Sequence, residues 1–445
     1  MVGAGLAGSE AAWQIAEAGL EVRLLEMRPL RRTPVHRSGH CAELVCSNSL
    51  GSRLPDRAGG VLQAELRALG SLLLRLAEEQ AVPAGQALAV DREAFAAAVT
   101  AALEGHPRIH LERREVKRVP EQGVTVLATG PLTSEALAAD LERLAGAGHL
   151  EFFDALAPVV TLESLDRARL FQASRWGRGG ADYWNVPLER EDYERLVDRL
   201  LQAERHAFRD FELADPRAPL FFERCLPVEV LAARGRDALR FGPLRPVGLT
   251  DPRTGRRPWA ALQLRRENAE GTLLNLVGFQ TNIRHGEQEE ILRRLPGFAE
   301  AEFVRLGSLH RNTFLCSPRV LEPSLAWRGR PDLFLAGQLT GMEGYLGNIA
   351  SGLLAGRNAV RRALGEAPET LPRETLIGAL AEHIARAPAE TFQPMKAEFG
   401  LLPPLPRPPR ARAERRRLHA ERSARTLAEH LARHPLPRIA LHPAT

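Results

Sequence analysis

The chain contains 445 residues, of which 44% are hydrophobic and 26% charged, and its four cysteines are too few for a disulfide framework. No apolar run reaches the about 18 residues of a membrane-spanning helix, and the N-terminus lacks the features of a signal peptide. We therefore expect a cytoplasmic protein with free thiols, long enough for two compact domains.

The net charge is +5, and arginine supplies nearly all of the positive charge, since Lys117 and Lys396 are the only lysines. An arginine excess is compatible with a polyanionic partner, because guanidinium groups bind phosphate well. It is equally expected of a genome that is rich in GC or adapted to heat and therefore prefers arginine. The charge alone does not separate these explanations.

The first predicted unit is a strand, a glycine-rich turn, a helix and a second strand. The turn occupies residues 3–8, the helix runs from about Ser9 to Ala18, and the second strand covers Glu21 to Glu26. Only Met1 and Val2 remain for the first strand, whereas a parallel strand usually has about five residues. Either the start of the sequence is misassigned or the sheet is short here.

The α/β pattern is interrupted and then resumes. A buried strand is predicted at Gly123 to Ala128, and it ends at Thr129-Gly130. Residues 151–305 differ, since they contain strand-like pieces rich in aromatic residues and proline. A short buried strand at 332–337 then leads through a glycine-rich turn into a helix from about Ile349 to Leu364. A segment inserted into a nucleotide-binding domain explains this order.

The turn Gly3-Ala4-Gly5-Leu6-Ala7-Gly8 matches the pattern GxGxxG between a strand and a helix. The first glycine permits a tight turn, the second lets the backbone approach a pyrophosphate, and the third allows the helix to pack closely on the strand. The helix N-terminus adds positive partial charge for the phosphates. Glu26, which lies 18 residues beyond Gly8, can accept both ribose hydroxyls. This context predicts a dinucleotide cofactor.

Two later segments favour FAD over NAD. Ala128-Thr129-Gly130, and Ala336-Gly337 with the glycines that follow it, resemble two segments of the glutathione-reductase-type FAD fold. In that fold the segments approach the phosphates, the ribityl chain and the flavin ring of the cofactor. The predicted FAD contacts are Gly3, Ala4, Gly5, Leu6, Ala7, Gly8, Glu26, Thr129, Gly130, Gly337, Glu343 and Gly344.

We predict an α/β protein with a glutathione-reductase-type FAD-binding Rossmann fold, an inserted α+β domain and a helical C-terminal segment. The FAD-binding domain would cover residues 1–150 and 306–370, the inserted substrate domain residues 151–305, and the basic C-terminal segment residues 371–445. No second strand–GxGxxG–helix unit is visible in the sequence. An NAD(P)H reductant would therefore dock transiently at the flavin.

The C-terminal segment is predicted to be extended and then helical. A proline-rich stretch at 402–409 precedes an arginine-rich helix over residues 410–433. Arg415, Arg416 and Arg417 form a candidate phosphate contact on this helix. Runs of charge are also common on solvated helix faces, so both interpretations stay open.

Two of the cysteines stand in polar or charged surroundings. Cys46 precedes Ser47-Asn48-Ser49, and Cys225 follows an arginine whose charge could hold a thiolate. Cys41 and Cys316 have no comparable neighbours, and we expect both to be structural. Since cysteine is among the most buried residue types, an inert core residue is the ordinary alternative for any of them.

Motifs along nearly the whole chain resemble those of the folate- and FAD-dependent tRNA uracil-5-methyltransferase family. They lie at residues 43–50 (Glu-Leu-Val-Cys-Ser-Asn-Ser-Leu), 246–255, 277–281, 310–313, 392–395 and 400–403. The resemblance implies FAD, methylenetetrahydrofolate and NAD(P)H as reactants, and the T-loop uridine of tRNA as methyl acceptor. It also implies that Cys46 and Cys225 are the working thiols. The chain departs from the family pattern at the shortened first strand and at Cys41.

The implied chemistry needs a nucleophile and a base. Carbon 5 of uracil becomes nucleophilic when a thiolate adds to carbon 6. Folate then supplies the one-carbon unit, reduced flavin supplies electrons, and a base removes the proton of carbon 5. We assign Cys225 as the nucleophile and Cys46 as the general acid/base, and the reverse assignment stays open.

Other polar residues are candidates for substrate binding. His285 could place its ring against a pterin, or it could be an exposed loop histidine. His310 and Arg311 could bind folate carboxylates or tRNA phosphate, or they could belong to a structural polar network. No set of histidine, cysteine and carboxylate residues has metal-ligand spacing, so we expect no metal.

Three other functions fit part of the pattern. A flavin-dependent disulfide reductase would use Cys41 and Cys46, but the sequence shows no Rossmann unit for NAD(P)H. A related flavin- and folate-dependent enzyme that modifies the wobble uridine of tRNA has a longer chain and a partner GTPase, whereas no obligate protein partner is evident here. A non-catalytic flavin-bound RNA-binding protein would bind tRNA without methylating it.

Overall fold

The computed structural model describes residues 1–33, 35–146, 150–155, 157–205, 226–307 and 309–437, without the side chains of 150–155, 309–313 and 391. The helices are α1 (Leu6–Glu17), α2 (Ala58–Ala68), α3 (Leu72–Glu79), α4 (Arg92–Glu104), α5 (Glu135–Ala145), α6 (Arg190–Gln202), α7 (Val228–Ala233), α8 (Ala238–Phe241), α9 (His285–Arg293), α10 (Ser317–Val320), α11 (Tyr345–Ala363), α12 (Leu376–Arg386) and α13 (Arg412–Arg433). The strands are β1 (Val22–Glu26), β2 (Ser49–Ser52), β3 (Ala81–Val82), β4 (Ala87–Val90), β5 (Ile109–Arg113), β6 (Thr125–Leu127), β7 (Leu150–Ala155), β8 (Val159–Thr161), β9 (Phe171–Gln172), β10 (Tyr183–Leu188), β11 (Ala260–Arg266), β12 (Leu273–Leu276), β13 (Phe303–Arg305), β14 (Leu309–Phe314), β15 (Ala326–Trp327) and β16 (Arg330–Leu335).

A mainly parallel sheet carries the glycine-rich turn. β1 pairs with β5 in parallel, β6 pairs with β16 in parallel, and β15 lies antiparallel at one edge. Val2 lies between the two pairs, where it bridges Leu25 of β1 and Leu127 of β6 in parallel. The order is therefore β5–β1–Val2–β6–β16–β15. The position of the predicted first strand is occupied by this single bridging residue.

Two helices pack closely against each other beside this sheet. α1 begins at Leu6, earlier than the predicted Ser9, because Gly5 already has the extended conformation of a helix N-cap. A Cβ atom on Gly352 of α11 would lie 2.1 Å from the carbonyl oxygen of Ala7. Glycine at this position therefore lets α11 approach the backbone of α1. α11 begins at Tyr345 rather than at the predicted Ile349.

A second, antiparallel sheet is built entirely from residues 159–305, with the order β13–β8–β12–β11–β10–β9. Side chains alternate along β11, so that Leu262 and Leu264 share a core with α6, α7 and α9. Gln263 and Arg265 point to the opposite face, where both are buried. β7 and β14 pair antiparallel at the two ends of this segment, so the chain enters and leaves it through one ribbon.

The C-terminal helices pack on α2. Glu65 of α2 is 2% exposed, and its carboxylate accepts hydrogen bonds from the N–H groups of Leu376 at 2.6 Å and Ile377 at 2.9 Å, at the start of α12. It also accepts one from the hydroxyl of Ser423 in α13 at 2.6 Å. Among the helices of the described ranges, none is both long and apolar enough to cross a membrane.

Candidate active site

The glycine-rich turn has three glycines with three different surroundings. Gly3 has a φ of +92°, and a Cβ atom there would lie 2.5 Å from the carbonyl oxygen of Ala128. A Cβ atom on Gly8 would lie 1.8 Å from the carbonyl oxygen of Gly3, so the helix and the turn touch at this point. A Cβ atom on Gly5 would meet nothing within 4 Å. The second glycine of the turn thus faces open space at the N-terminus of α1.

Glu26 is a buried carboxylate at the end of β1. Its Oε2 atom accepts a hydrogen bond from the N–H of Ala4 at 2.8 Å, and its Oε1 atom accepts one from Nε of Arg28 at 3.0 Å. Burial alone would raise the pKa of Glu26, but the hydrogen bonds and charge of Arg28 outweigh burial and lower it. Glu26 therefore stays ionised, as an acceptor for ribose hydroxyls must.

A cavity of about 380 Å³ opens where the glycine-rich turn, the end of β6 and the start of α11 meet. Predicted FAD contacts that line it are Gly3, Gly5, Leu6, Ala7, Glu26, Thr129, Gly130, Gly337, Glu343 and Gly344. Ala4 and Gly8 are not lining residues, because Ala4 donates to Glu26 and Gly8 packs against Gly3. The open Gly5 and the ionised Glu26 fit the phosphates and ribose of a dinucleotide.

The start of α11 forms another wall of this cavity. Gly344 is its N-cap, with a φ of +84°, and no side chain caps the helix. The first-turn N–H groups are thus available for a ligand, as they are in α1. Lys396 also lines the cavity, and its Nζ atom lies 3.6 Å from Oε1 of Glu343. Lys396 was not among the predicted contacts, although it is one of only two lysines in the chain.

Cys46 lies on the cavity wall, in the segment just before β2, and is half-buried. Its backbone N–H donates to the hydroxyl oxygen of Tyr345 at 2.9 Å, and the N–H of Ser47 donates to the same oxygen at 3.0 Å. Tyr345 was not among the predicted site residues either. Its position directly after Gly344, in the third predicted FAD segment, was a usable signal.

Three arginines from separate elements converge on residues 44–48. Arg92 donates to the carbonyl oxygen of Leu44 at 2.7 Å, Arg265 donates to Oγ of Ser47 at 2.9 Å, and Arg305 donates to the carbonyl oxygen of Cys46 at 3.4 Å. We call Arg92, Arg265 and Arg305 the arginine cluster. These residues share no sequence motif, so no local signal predicts their meeting.

The arginine cluster carries more positive than negative charge. Glu267 pairs with Arg92 at 2.8 Å and with Arg305 at 3.6 Å, and all of these side chains are largely buried. Burial and the neighbouring charge of Arg92 lower the pKa of Arg305 to about 10. Cys46 lies close enough to this cluster for its charge to raise the pKa of both Arg92 and Arg305.

The other described cysteines have different surroundings. Cys41 is fully buried, its N–H donates to Oγ1 of Thr100 at 2.8 Å, and burial raises the pKa of its thiol to about 11. Cys316 is half-buried, and burial likewise raises its pKa. Neither lines the cavity. Cys225 lies outside the described residues, so its predicted role stays a prediction.

The predicted substrate-binding residues are dispersed. His285 is an exposed residue at the start of α9 and is not a lining residue of the cavity. His310 and Arg311 lie on β14, opposite residues 154 and 153 of β7, where the structure describes only the backbone. Arg415 and Arg417 are exposed on the first turns of α13, with Arg416 half-buried between them. Arg417 is paired with Glu421.

Comparison with known proteins places this site in a family. Residues 1–367 match the family model described as glucose inhibited division protein A. The methylenetetrahydrofolate--tRNA-(uracil-5-)-methyltransferase TrmFO of Moorella thermoacetica is 54% identical over 423 residues, which covers 95% of this chain and 96% of that protein. The protein of the same name from Thermosynechococcus vestitus is 53% identical and covers 96% of this chain and 93% of its own length. The chain belongs to the TrmFO family.

A solved structure with a similar fold is more distant in sequence than these TrmFO proteins. GidA of Aquifex aeolicus, in its form II crystal, superposes with a TM-score of 0.67 at 17% sequence identity. The match covers 97% of this chain and 75% of that chain. At this identity the likeness concerns the fold alone, and it agrees with the predicted FAD-binding Rossmann fold.

Proposed function

We propose that this chain is a methyltransferase that uses FAD and methylenetetrahydrofolate to methylate carbon 5 of a uridine in tRNA, and that the uridine is that of the T loop. The observation that carries the proposal is Cys46 on the wall of the glycine-lined cavity, next to an excess of buried positive charge. The near full-length relation to proteins named for this reaction supports it.

FAD would be held by the residues that line the cavity. The pyrophosphate would lie against Gly5 and the N-terminus of α1, and Glu26 would accept from the ribose. The uncapped N-terminus of α11 and Lys396 are suited to the polar part of the flavin or to a folate carboxylate. When bound and reduced, FAD supplies the electrons that convert the methylene group of the folate into a methyl group.

The two thiols would have different roles in the reaction at the uracil ring. Cys225 adds to carbon 6 of uracil as a thiolate, so that carbon 5 gains enolate character and accepts the one-carbon unit. Cys46 then removes the proton of carbon 5, and the bond between the one-carbon unit and its carrier breaks. The bond from Cys225 to carbon 6 breaks once the supplied electrons have converted that unit into a methyl group. Positive charge in the arginine cluster supports Cys46 as the base, since a base must be deprotonated before it acts.

The same proposal includes a reductant for the flavin and a division of the chain into domains. NAD(P)H would reduce the flavin without a Rossmann domain of its own. Residues 151–305 would form the substrate domain inserted between the two parts of the FAD-binding domain, 1–150 and 306–370, and residues 371–445 the basic C-terminal segment. Gln280 of the inserted segment lines the cavity, which supports contact between that domain and the reaction. We propose a cytoplasmic protein without an obligate protein partner.

The decisive experiment supplies purified protein with unmodified tRNA, NAD(P)H and methylenetetrahydrofolate labelled in its methylene carbon. We expect label as 5-methyluridine in the T loop. Label at the wobble uridine would instead support the related tRNA-modifying enzyme. Retention of tRNA in a gel without incorporation of label would support a non-catalytic RNA-binding protein.

The thiol assignment has its own test. tRNA that contains 5-fluorouridine has no proton to lose from carbon 5, so a covalent adduct at carbon 6 accumulates. Mass spectrometry should find the adduct on Cys225, and it should persist in Cys46→Ala and be absent from Cys225→Ala. An adduct on Cys46 would reverse the assignment.

A further inference from the structure

An exposed tryptophan lies close to two arginines in the inserted segment. The side chain of Trp176 is 55% exposed, although tryptophan usually buries most of its surface. The guanidinium carbons of Arg178 and Arg245 each lie 5.6 Å from the centre of its ring. Within the described part of the chain, neither arginine has an ion-pair partner. We call these three residues the Trp176 surface.

The backbone around the ring is unusual. Trp176 has a φ of +57°, a left-handed conformation that costs energy for a bulky residue, and its N–H donates to the carbonyl oxygen of Gly248 at 2.7 Å. A Cβ atom on Gly248 would lie 2.7 Å from the ring, so only glycine leaves room for it. The fold thus holds Trp176 outward at the cost of strain, which a residue that only fills space would not require.

The chemistry of this surface fits a nucleic acid with unpaired bases. An exposed indole face offers stacking to a base, which is sequence-tolerant and worth about fivefold to a hundredfold in affinity per base. Two guanidinium groups beside the ring, which have no ion-pair partner among the described residues, can bind the phosphates that flank that base. Duplex RNA buries its base faces, so the ring favours a loop or another single-stranded region.

We propose that the Trp176 surface binds the RNA substrate, with one unpaired base stacked on Trp176 and its flanking phosphates on Arg178 and Arg245. The inference rests on the proposed function, because it concerns the same substrate. Folate is a weaker fit, since none of the three residues lines the cavity.

The position of the surface relative to Cys46 supports this partner. Arg175, next to Trp176, donates to Oε1 of Gln263 at 2.8 Å. Arg265 lies two residues further along the same face of β11, about 7 Å away, and donates to Ser47 beside Cys46. The Trp176 surface and the Cys46 segment are therefore connected through the same face of β11.

The test measures tRNA binding without turnover, at several salt concentrations. Trp176→Ala should raise the Kd for tRNA about tenfold, leave the salt dependence unchanged, and be largely rescued in Trp176→Phe. The double variant Arg178→Gln/Arg245→Gln should flatten the slope of log affinity against log salt concentration by roughly 1.5, since two phosphate contacts are lost. Arg167→Gln removes another exposed arginine of the inserted segment and should change neither quantity. FAD content, which should be normal in all variants, reports folding.

The possible results are distinct. An RNA hairpin with an open loop should compete with tRNA, and an uninterrupted duplex of equal length should compete less. Unchanged tRNA affinity and salt slope in the Trp176 and double-arginine variants would overturn the inference. It would also be overturned if these variants bound methylenetetrahydrofolate or an acidic protein more weakly while their binding of tRNA stayed normal. If tRNA binds through Trp176 but no 5-methyluridine forms, only the proposed function fails. If methylation proceeds with unchanged tRNA affinity in Trp176→Ala, only the present inference fails.

Discussion

Tyr345 and Cys46 are joined across 299 residues of sequence, because the hydroxyl oxygen of Tyr345 accepts the backbone N–H of Cys46 at 2.9 Å. Tyr345 is the first residue of α11, so the helix that ends at the cofactor cavity also positions the thiol. Burial raises the pKa of Tyr345, and its phenol therefore remains neutral. This hydrogen bond therefore connects the cavity predicted to hold the flavin with the segment that carries Cys46.

Tyr345→Phe tests this relationship. Phenylalanine keeps the ring but leaves the N–H groups of Cys46 and Ser47 without their acceptor, which costs about 1–3 kcal/mol. We expect the rate of methylation to fall about tenfold or more, because the thiol is misplaced, while FAD content stays normal. Tyr193→Phe is the matched control. It also removes a tyrosine hydroxyl, but that hydroxyl donates to the carbonyl oxygen of Arg236 in the inserted segment. Normal methylation in Tyr345→Phe would show that the bond does not position Cys46.

Local pattern was sufficient to predict the FAD-binding half of the fold. Each feature of the glycine-rich turn and of Glu26 lies within one β-α-β unit, where spacing decides which groups meet. The same holds for the start of α13, which begins two residues after its predicted position. The strand at 123–128 was predicted too long, because only Thr125–Leu127 pair with the sheet.

The environment of Cys46 could not be predicted in this way. Arg265 and Ser47 are 218 residues apart, and their contact depends on where the inserted segment meets the glycine-lined cavity. No spacing in the sequence encodes such a meeting. For the same reason His285 was a reasonable candidate from its neighbours, yet it lies on the surface outside the cavity lining.

Two glycine variants separate cofactor binding from folding. Gly5→Ala adds a methyl group where nothing lies within 4 Å, so the apoprotein should keep its stability while FAD binds more weakly. Gly8→Ala places the same group 1.8 Å from the carbonyl oxygen of Gly3, so the protein should be strongly destabilised. Flavin titration and urea unfolding of both apoproteins give the comparison. Equal loss of stability in the two variants would contradict the assignment of Gly5 to the cofactor.

Arg305→Gln tests the electrostatic role of the arginine cluster. It removes one positive charge and leaves the pair of Arg92 with Glu267 intact. In a chain whose other cysteines are replaced, iodoacetamide should then react with Cys46 several-fold more slowly at neutral pH, with the difference shrinking at high pH. Arg236→Gln, on the surface and paired with Asp198, is the control. A reaction profile identical to that of the parent would remove the cluster from the mechanism.

Glu65 predicts a pH dependence of stability. Burial raises its pKa to about 7, while hydrogen bonds from Ser423, Leu376 and Ile377 oppose the shift. The folded state therefore binds the proton more tightly than the unfolded state, and stability from this group falls as pH rises from about 4.5 to about 7. Relative to Glu65→Gln, the parent protein should lose on the order of 3 kcal/mol between pH 4.5 and 8. Urea unfolding of both proteins across this pH range is the measurement. If their free energies of unfolding changed in parallel with pH, the role assigned to Glu65 would be refuted.

The three cysteine variants separate the methyltransferase from the disulfide reductase. Cys46→Ala and Cys225→Ala should each abolish methylation, because the reaction needs both a nucleophile and a base, and losing either removes orders of magnitude in rate. Cys46→Ala should keep FAD, since no predicted FAD contact is lost. Cys41→Ser should remain largely active, because Cys41 is fully buried, away from the cavity lining, and burial raises its thiol pKa to about 11.

A disulfide reductase would give the inverse pattern. Cys41 and Cys46 would then be equally essential as a redox pair, and Cys225 would be dispensable. The burial of Cys41 argues against this, since a buried thiol with a raised pKa is a poor partner for thiol–disulfide exchange. Methylation assays on all three variants, with flavin content measured in parallel, give the decision. An inactive Cys41→Ser with normal flavin content, beside an active Cys225→Ala, would overturn the proposed function.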